Sequence, residues 1–133
     1  VHVRPCVEQI PHGSSNNYTS NINVNNNILV NPGQYGIGVP GGSTINVYSN
    51  QVFGVSQEFT NVGLYAWNQY TSSQCSNISI FSNQVKWFNA KGDSNPYWNS
   101  GNCGPIGGEG SNNLSANLTE DILDSPVPSC NYL

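Results

Sequence analysis

Charge is scarce in this chain of 133 residues. Asp, Glu, Lys and Arg make up 8% of it, about a third of the usual share. Arg4, Lys86 and Lys91 are the only Lys or Arg residues against seven Asp and Glu, for a net charge of −4. With no cluster of cations to neutralise phosphates, nucleic acid is excluded as a partner, and so is an anionic lipid surface. Long apolar runs are missing as well: none approaches the ~20 residues that span a bilayer, so no membrane insertion is expected. Methionine is absent and the chain starts at Val1, which fits a mature form released from a signal peptide. There is no Gly-x-Ser-x-Gly elbow, no His-Glu-x-x-His and no phosphate loop, and no cofactor is implied.

The four cysteines, Cys6, Cys75, Cys103 and Cys130, are too widely spaced for a zinc knuckle. An even number without clustering reads as two disulfides formed in an oxidising compartment. Three pairings are open. Cys6–Cys130 with Cys75–Cys103 is preferred, because it ties the ends together and closes a loop-rich segment.

What replaces charge is amide and hydroxyl. The chain is 36% hydrophobic and 11% aromatic, so it can bury a core and reads as a single domain, 1–133. Its polar surface is built from Asn, Ser, Gln and Thr, which suits an extracellular protein. Sequons begin at Asn17, Asn77, Asn113 and Asn117, where glycosylation is expected. Their number carries no weight, since a chain with 22 asparagines and 22 serines plus threonines yields about four matches by chance.

One stretch organises the rest. Ile45-Asn46-Val47-Tyr48-Ser49-Asn50-Gln51-Val52 returns as Ile78-Ser79-Ile80-Phe81-Ser82-Asn83-Gln84-Val85, with five of eight positions identical. A weaker echo runs from Ile22-Asn23-Val24 through Asn25-Asn26-Asn27 to Ile28-Leu29-Val30. Ile and Val alternate with polar or aromatic residues, as in a half-buried strand. Ser-Asn-Gln then marks a tight turn, with Asn as the residue that takes positive φ. The reading is strand, turn, strand.

Elsewhere, 1–13 reads as an extended arm with a short edge strand, and Gln34–Val39 as a strand with one bare face at Gly36 and Gly38. Val52–Thr60 and Val62–Tyr70 read as further strands, the second carrying Val62, Leu64 and Ala66 on one face and Gly63, Tyr65 and Trp67 on the other. Asn89–Gly110 reads as loop, Leu114–Leu118 as a last strand, and Thr119–Leu123 as one helical turn capped by Thr119. Short strands with little helix predict an all-β antiparallel sandwich or barrel. A β-trefoil is the alternative, although echoes spaced 23 and 33 residues apart are uneven for threefold repetition.

Candidate chemistry is thin. Glu58 lies in an apolar stretch and could pair with Asp93 in a glycosidase; an exposed strand position explains it as well. His2 and His12 could join the terminal amine around copper, or be bystanders in an arm. One constellation combines rings, amides and a carboxylate between two cysteines: Trp87, Asn89, Lys91, Asp93, Asn95, Tyr97, Trp98 and Asn99. Pyranose C–H faces stack on indole and amides share hydroxyl hydrogen bonds, so this is the candidate ligand site. The expected function is a secreted, non-catalytic binding module for a glycan or cell-surface component. A structural subunit of an extracellular coat or filament, bound to copies of itself, is the alternative, and a small secreted hydrolase or toxin is a third.

Overall fold

The structure, a computed structural model, describes residues 2–4, 7–9, 19–69 and 74–123. The strands are β1 (His2–Arg4), β2 (Val7–Gln9), β3 (Ser20–Asn25), β4 (Ile28–Val30), β5 (Tyr35–Val39), β6 (Gly42–Tyr48), β7 (Gln51–Gly54), β8 (Val62–Ala66), β9 (Cys75–Phe81), β10 (Gln84–Trp87), β11 (Tyr97–Asn99) and β12 (Ile106–Gly107). They form a first sheet ordered β1-β2-β5-β8-β11, a second ordered β12-β9-β6-β3 and a third ordered β10-β7-β4. The chain visits the sheets cyclically: β2, β3, β4, then β5, β6, β7, then β8, β9, β10, then β11 and β12. This is a parallel β-solenoid, in which each coil lies on the one before.

The antiparallel sandwich or barrel expected from the alternation is therefore wrong, and so is the trefoil. All pairings among β2–β12 are parallel; β1 with β2 is antiparallel. The three sequence echoes are real but stack instead of surrounding an axis. Ile22 aligns with Ile45 and Ile78, and Val24 with Val47 and Ile80. Leu29 aligns with Val52 and Val85 in the third sheet. The uneven spacing is absorbed between strands: more residues separate β7 from β8, and β8 from β9, than separate β4 from β5 and β5 from β6, and the register of the paired strands is kept.

The corner turns explain why the strands do not form hairpins. Ser49 and Ser82, not the asparagines, take the left-handed conformation at φ 55, and Asn26 does so at φ 56. One such residue bends the chain into the next sheet without reversing it. The following Asn then points inward, and Asn50 and Asn83 are each 1% exposed. Asn27, Asn50, Asn83 and Asn112 form a column in which each Nδ2 reaches the next Oδ1, at 3.0, 2.9 and 2.9 Å. Asn50 and Asn83 also donate to the carbonyls of Val24 and Val47, both at 3.0 Å. Buried polar groups are thus satisfied between coils.

Between the sheets lies a stack of Ile37, Val39, Ile45, Val47, Val52, Leu64, Ile78, Ile80, Val85 and Trp87, all 1% exposed or less. Each aliphatic side chain so buried contributes about 1.5–3 kcal/mol. A second cluster lies outside the third sheet, where Phe53 is covered by Ala116, Leu118 and Leu123. Residues 114–118 form no strand there. The expected helical turn is present as α1 (Glu120–Leu123), with the Thr119 hydroxyl accepting from the Ile122 N–H at 3.1 Å. Val52–Thr60 is a strand only as far as Gly54.

The disulfide Cys75–Cys103 is formed, joining the start of β9 to the connection between β11 and β12. It is the one disulfide among the described residues; Cys6 and Cys130 lie outside them. Among the described residues no helix is long and apolar enough to cross a membrane.

Candidate functional site

The outer side of the first sheet carries a groove of about 380 Å³. Its lining among the described residues is Tyr35, Asn61, Val62, Tyr65, Trp67, Gln69, Asn95 and Trp98. The register assembles it. Gly38, Tyr65 and Trp98 occupy one column across β5, β8 and β11. An added Cβ at Gly38 would run into the Tyr65 ring, so the bare face of β5 serves as a seat for an aromatic. Tyr65 is 2% exposed and packs on Tyr35, ring centroids 5.0 Å apart, to make the floor. Trp67 and Trp98 meet edge to face at 5.7 Å and are 41% and 44% exposed, forming a wall. Large rings left open to solvent in a concave site are uncommon on a monomer surface unless they contact something.

The polar lining consists of amides. Asn95 Nδ2 donates to the backbone carbonyl of Asn61 at 2.8 Å, and Gln69 Nε2 to the Tyr65 hydroxyl at 3.3 Å. No charged residue lines the groove among the described residues.

The residues singled out from the sequence are split by this arrangement. Trp98 and Asn95 enter the groove. Trp87 does not: it is 1% exposed and lies inside the solenoid against Gly54, which an added Cβ would drive into its ring. Its Nε1 is buried without a hydrogen-bond partner. Asn89 Oδ1 accepts from the Lys91 and Asp93 N–H groups, both at 3.0 Å, and holds a tight loop together. Asp93 and Lys91 are exposed on that loop and do not line the groove. Tyr97 and Asn99 flank Trp98 on β11, and by strand alternation face the other way. Both are tied to Glu109, with the Tyr97 hydroxyl donating to Oε2 at 2.6 Å and Asn99 Nδ2 at 3.5 Å. Burial first, and then the bond to Glu109, raise the Tyr97 pKa above the ordinary tyrosine range.

Tyr35, Asn61, Tyr65, Trp67 and Gln69 were not part of the expected site. Their one sequence signal is the alternation over 62–67, which leaves Tyr65 and Trp67 on the face opposite Val62, Leu64 and Ala66. Glu58 sits in an exposed turn, not a strand, and lies outside the groove. His12 and the His2 side chain are outside the described residues. Of the sequons, Asn77, Asn113 and Asn117 are exposed. Asn77 takes φ 55 within β9 and donates to Thr44 Oγ1 at 3.0 Å. Asn17 lies outside the described residues. Comparison with protein-family models, with curated proteins and with solved structures finds no match for this chain.

Proposed function

We propose that the chain is a secreted, non-catalytic module that binds a glycan in the groove of the first sheet. The observation that carries this reading is the half-exposed Trp67–Trp98 pair above the Tyr35–Tyr65 floor, bordered by Asn61, Gln69 and Asn95. Rings give a pyranose C–H face something to stack on, and amides exchange hydrogen bonds with its hydroxyls. The groove volume lies within the range typical of small-ligand sites. Secretion is supported by the Cys75–Cys103 disulfide, and glycosylation by exposed sequon asparagines at 77, 113 and 117. A glycan array probed with the parent protein and with Trp98→Ala tests the reading: binding by the parent and its loss in the variant are expected. Absence of binding by the parent, or equal binding by both, would end it.

A coat or filament subunit is the second reading, favoured by the open construction of a solenoid. Among the described residues β3 and β12 are the edge strands of the second sheet, and such edges pair readily with another chain. Light scattering separates the two, since a monodisperse monomer at high concentration counts against assembly.

A further inference from the structure

We infer that the groove selects neutral glycans over acidic ones, through an acceptor fixed at Asn95 and a lining without cations among the described residues. The inference rests on the glycan-binding reading and narrows it to a substrate class.

The orientation of Asn95 is dictated by its partner. The Asn61 backbone oxygen can only accept a hydrogen bond, so the amide nitrogen of Asn95 must face it, at 2.8 Å. The main chain holds the residue there as well: its N–H donates to the Trp87 carbonyl at 3.0 Å, and its carbonyl accepts from Gly63 at 3.1 Å. Among the described residues, Asn95 Oδ1 is left with no hydrogen-bond partner. Gln69 is held less strictly, because a tyrosine hydroxyl can donate as well as accept. Its Nε2 is directed to the Tyr65 hydroxyl at 3.3 Å, its backbone N–H donates to Pro40 at 3.2 Å, and Oε1 has no partner among the described residues.

Asn95 Oδ1 is therefore an acceptor whose place in the groove is set by the backbone. A sugar hydroxyl can donate to it. A carboxylate or sulfate oxygen can only accept, and would meet this oxygen without a proton between them. No Lys or Arg among the described lining residues offsets that repulsion, and the chain's net charge of −4 adds to it at longer range. Rejection by unmatched polar groups is a common source of specificity. The aromatic lining also sets the ligand's course. Tyr35 belongs to one coil, Tyr65 and Trp67 to the next, and Trp98 to the last. Strand spacing of about 4.8 Å puts the outer rows roughly 10 Å apart along the solenoid axis, so a disaccharide lying across the strands touches all of them.

The experiment compares neutral oligosaccharides with sulfated or uronate-bearing counterparts of the same backbone, using the parent protein, Trp98→Ala and Gln69→Lys. The parent should bind the neutral members at least tenfold more tightly than their acidic counterparts. Gln69→Lys should narrow or reverse that preference, because it places a cation in the groove. Trp98→Ala should weaken neutral binding. Equal or tighter binding of the acidic members by the parent, with Trp98→Ala still weakening it, overturns the charge selectivity and leaves the groove standing. A folded Gln69→Lys with unchanged preference also overturns the charge selectivity. Should no neutral or acidic member bind, or should Trp98→Ala bind like the parent, the groove itself fails and takes the inference with it. The parent's preference is read without any variant, so a misfolded variant cannot rescue the idea.

Discussion

Asn50 and Asn83 stand one above the other at the same corner of successive coils, and Asn83 Oδ1 receives two hydrogen bonds from Asn50: from its backbone N–H at 3.0 Å and from its Nδ2 at 2.9 Å. Asn83 Nδ2 donates in turn to Val47 and to Asn112 Oδ1. Asn83→Ala therefore leaves the Asn50 backbone N–H and one N–H of Asn50 Nδ2 without an acceptor where water has little access, while Asn112 Oδ1 keeps the bond from the Asn83 N–H. Each buried unsatisfied group costs about 1–3 kcal/mol, so the variant should lose about 3–5 kcal/mol in denaturant unfolding. Adding Asn50→Ala should cost less than the two single losses combined, since the partners vanish together. A loss below about 1 kcal/mol would show that the column is not what closes the corners.

The two tryptophans on either side of the 88–97 segment should behave oppositely. Trp87→Ala empties the interior and should cost about 3–5 kcal/mol of stability. Trp98→Ala removes a ring already 44% exposed and should cost less than about 1 kcal/mol. By contrast, Trp98→Ala should lose about 1–3 kcal/mol of glycan affinity, the scale of one aromatic hot spot. Thermal unfolding and titration calorimetry on the same preparations read both quantities.

Tyr97 makes stability pH-dependent on the alkaline side. Its folded pKa is raised by burial and by the bond to Glu109, so the folded protein holds the phenolic proton longer than the unfolded chain does. The resulting stabilisation is fully present below the ordinary tyrosine pKa and is lost as pH rises through the higher folded value. Tyr97→Phe should flatten that alkaline decline. An unchanged slope in chemical denaturation at alkaline pH would assign the decline to other groups.

Reducing Cys75–Cys103 opens a crosslink between residues 28 apart in sequence. Loop-closure entropy predicts a loss of about 3–4 kcal/mol. Cys75→Ser with Cys103→Ser, followed by thermal unfolding, checks the figure. The β-rich circular dichroism spectrum should persist in the pair variant, since the stacked core lies between the sheets.

Inward and outward faces were legible in the sequence, but strand direction was not. Ile45, Val47, Ile78 and Ile80 are buried as their alternation requires, and that alternation is the same for parallel and antiparallel neighbours. Ser-Asn reads as a hairpin because the residues that reverse a chain are also those that bend it. The distinguishing fact is that Asn50 and Asn83 point inward, which depends on partners 33 residues apart. The site was half legible for the same reason. Trp87 and Trp98 look alike in a segment rich in Asn, and Gly54, contributed by the neighbouring coil, makes Trp87 interior. Trp67 is on the open face of its strand by simple alternation, yet it becomes part of a groove only once β11 lies beside β8.

Because each coil is held chiefly by the coils above and below it, the protein is built to come apart by peeling. The bridge from β9 to the β11–β12 connection rivets the last coil to its neighbour, and the segment ending in Leu123 laps over Phe53 two coils back. Among the described residues these fastenings gather at one end, so force or heat should strip the solenoid from its β3–β4 side, releasing Asn27 from the column first and the Trp67–Trp98 wall late. A mechanically stressed or partly worn molecule keeps its groove.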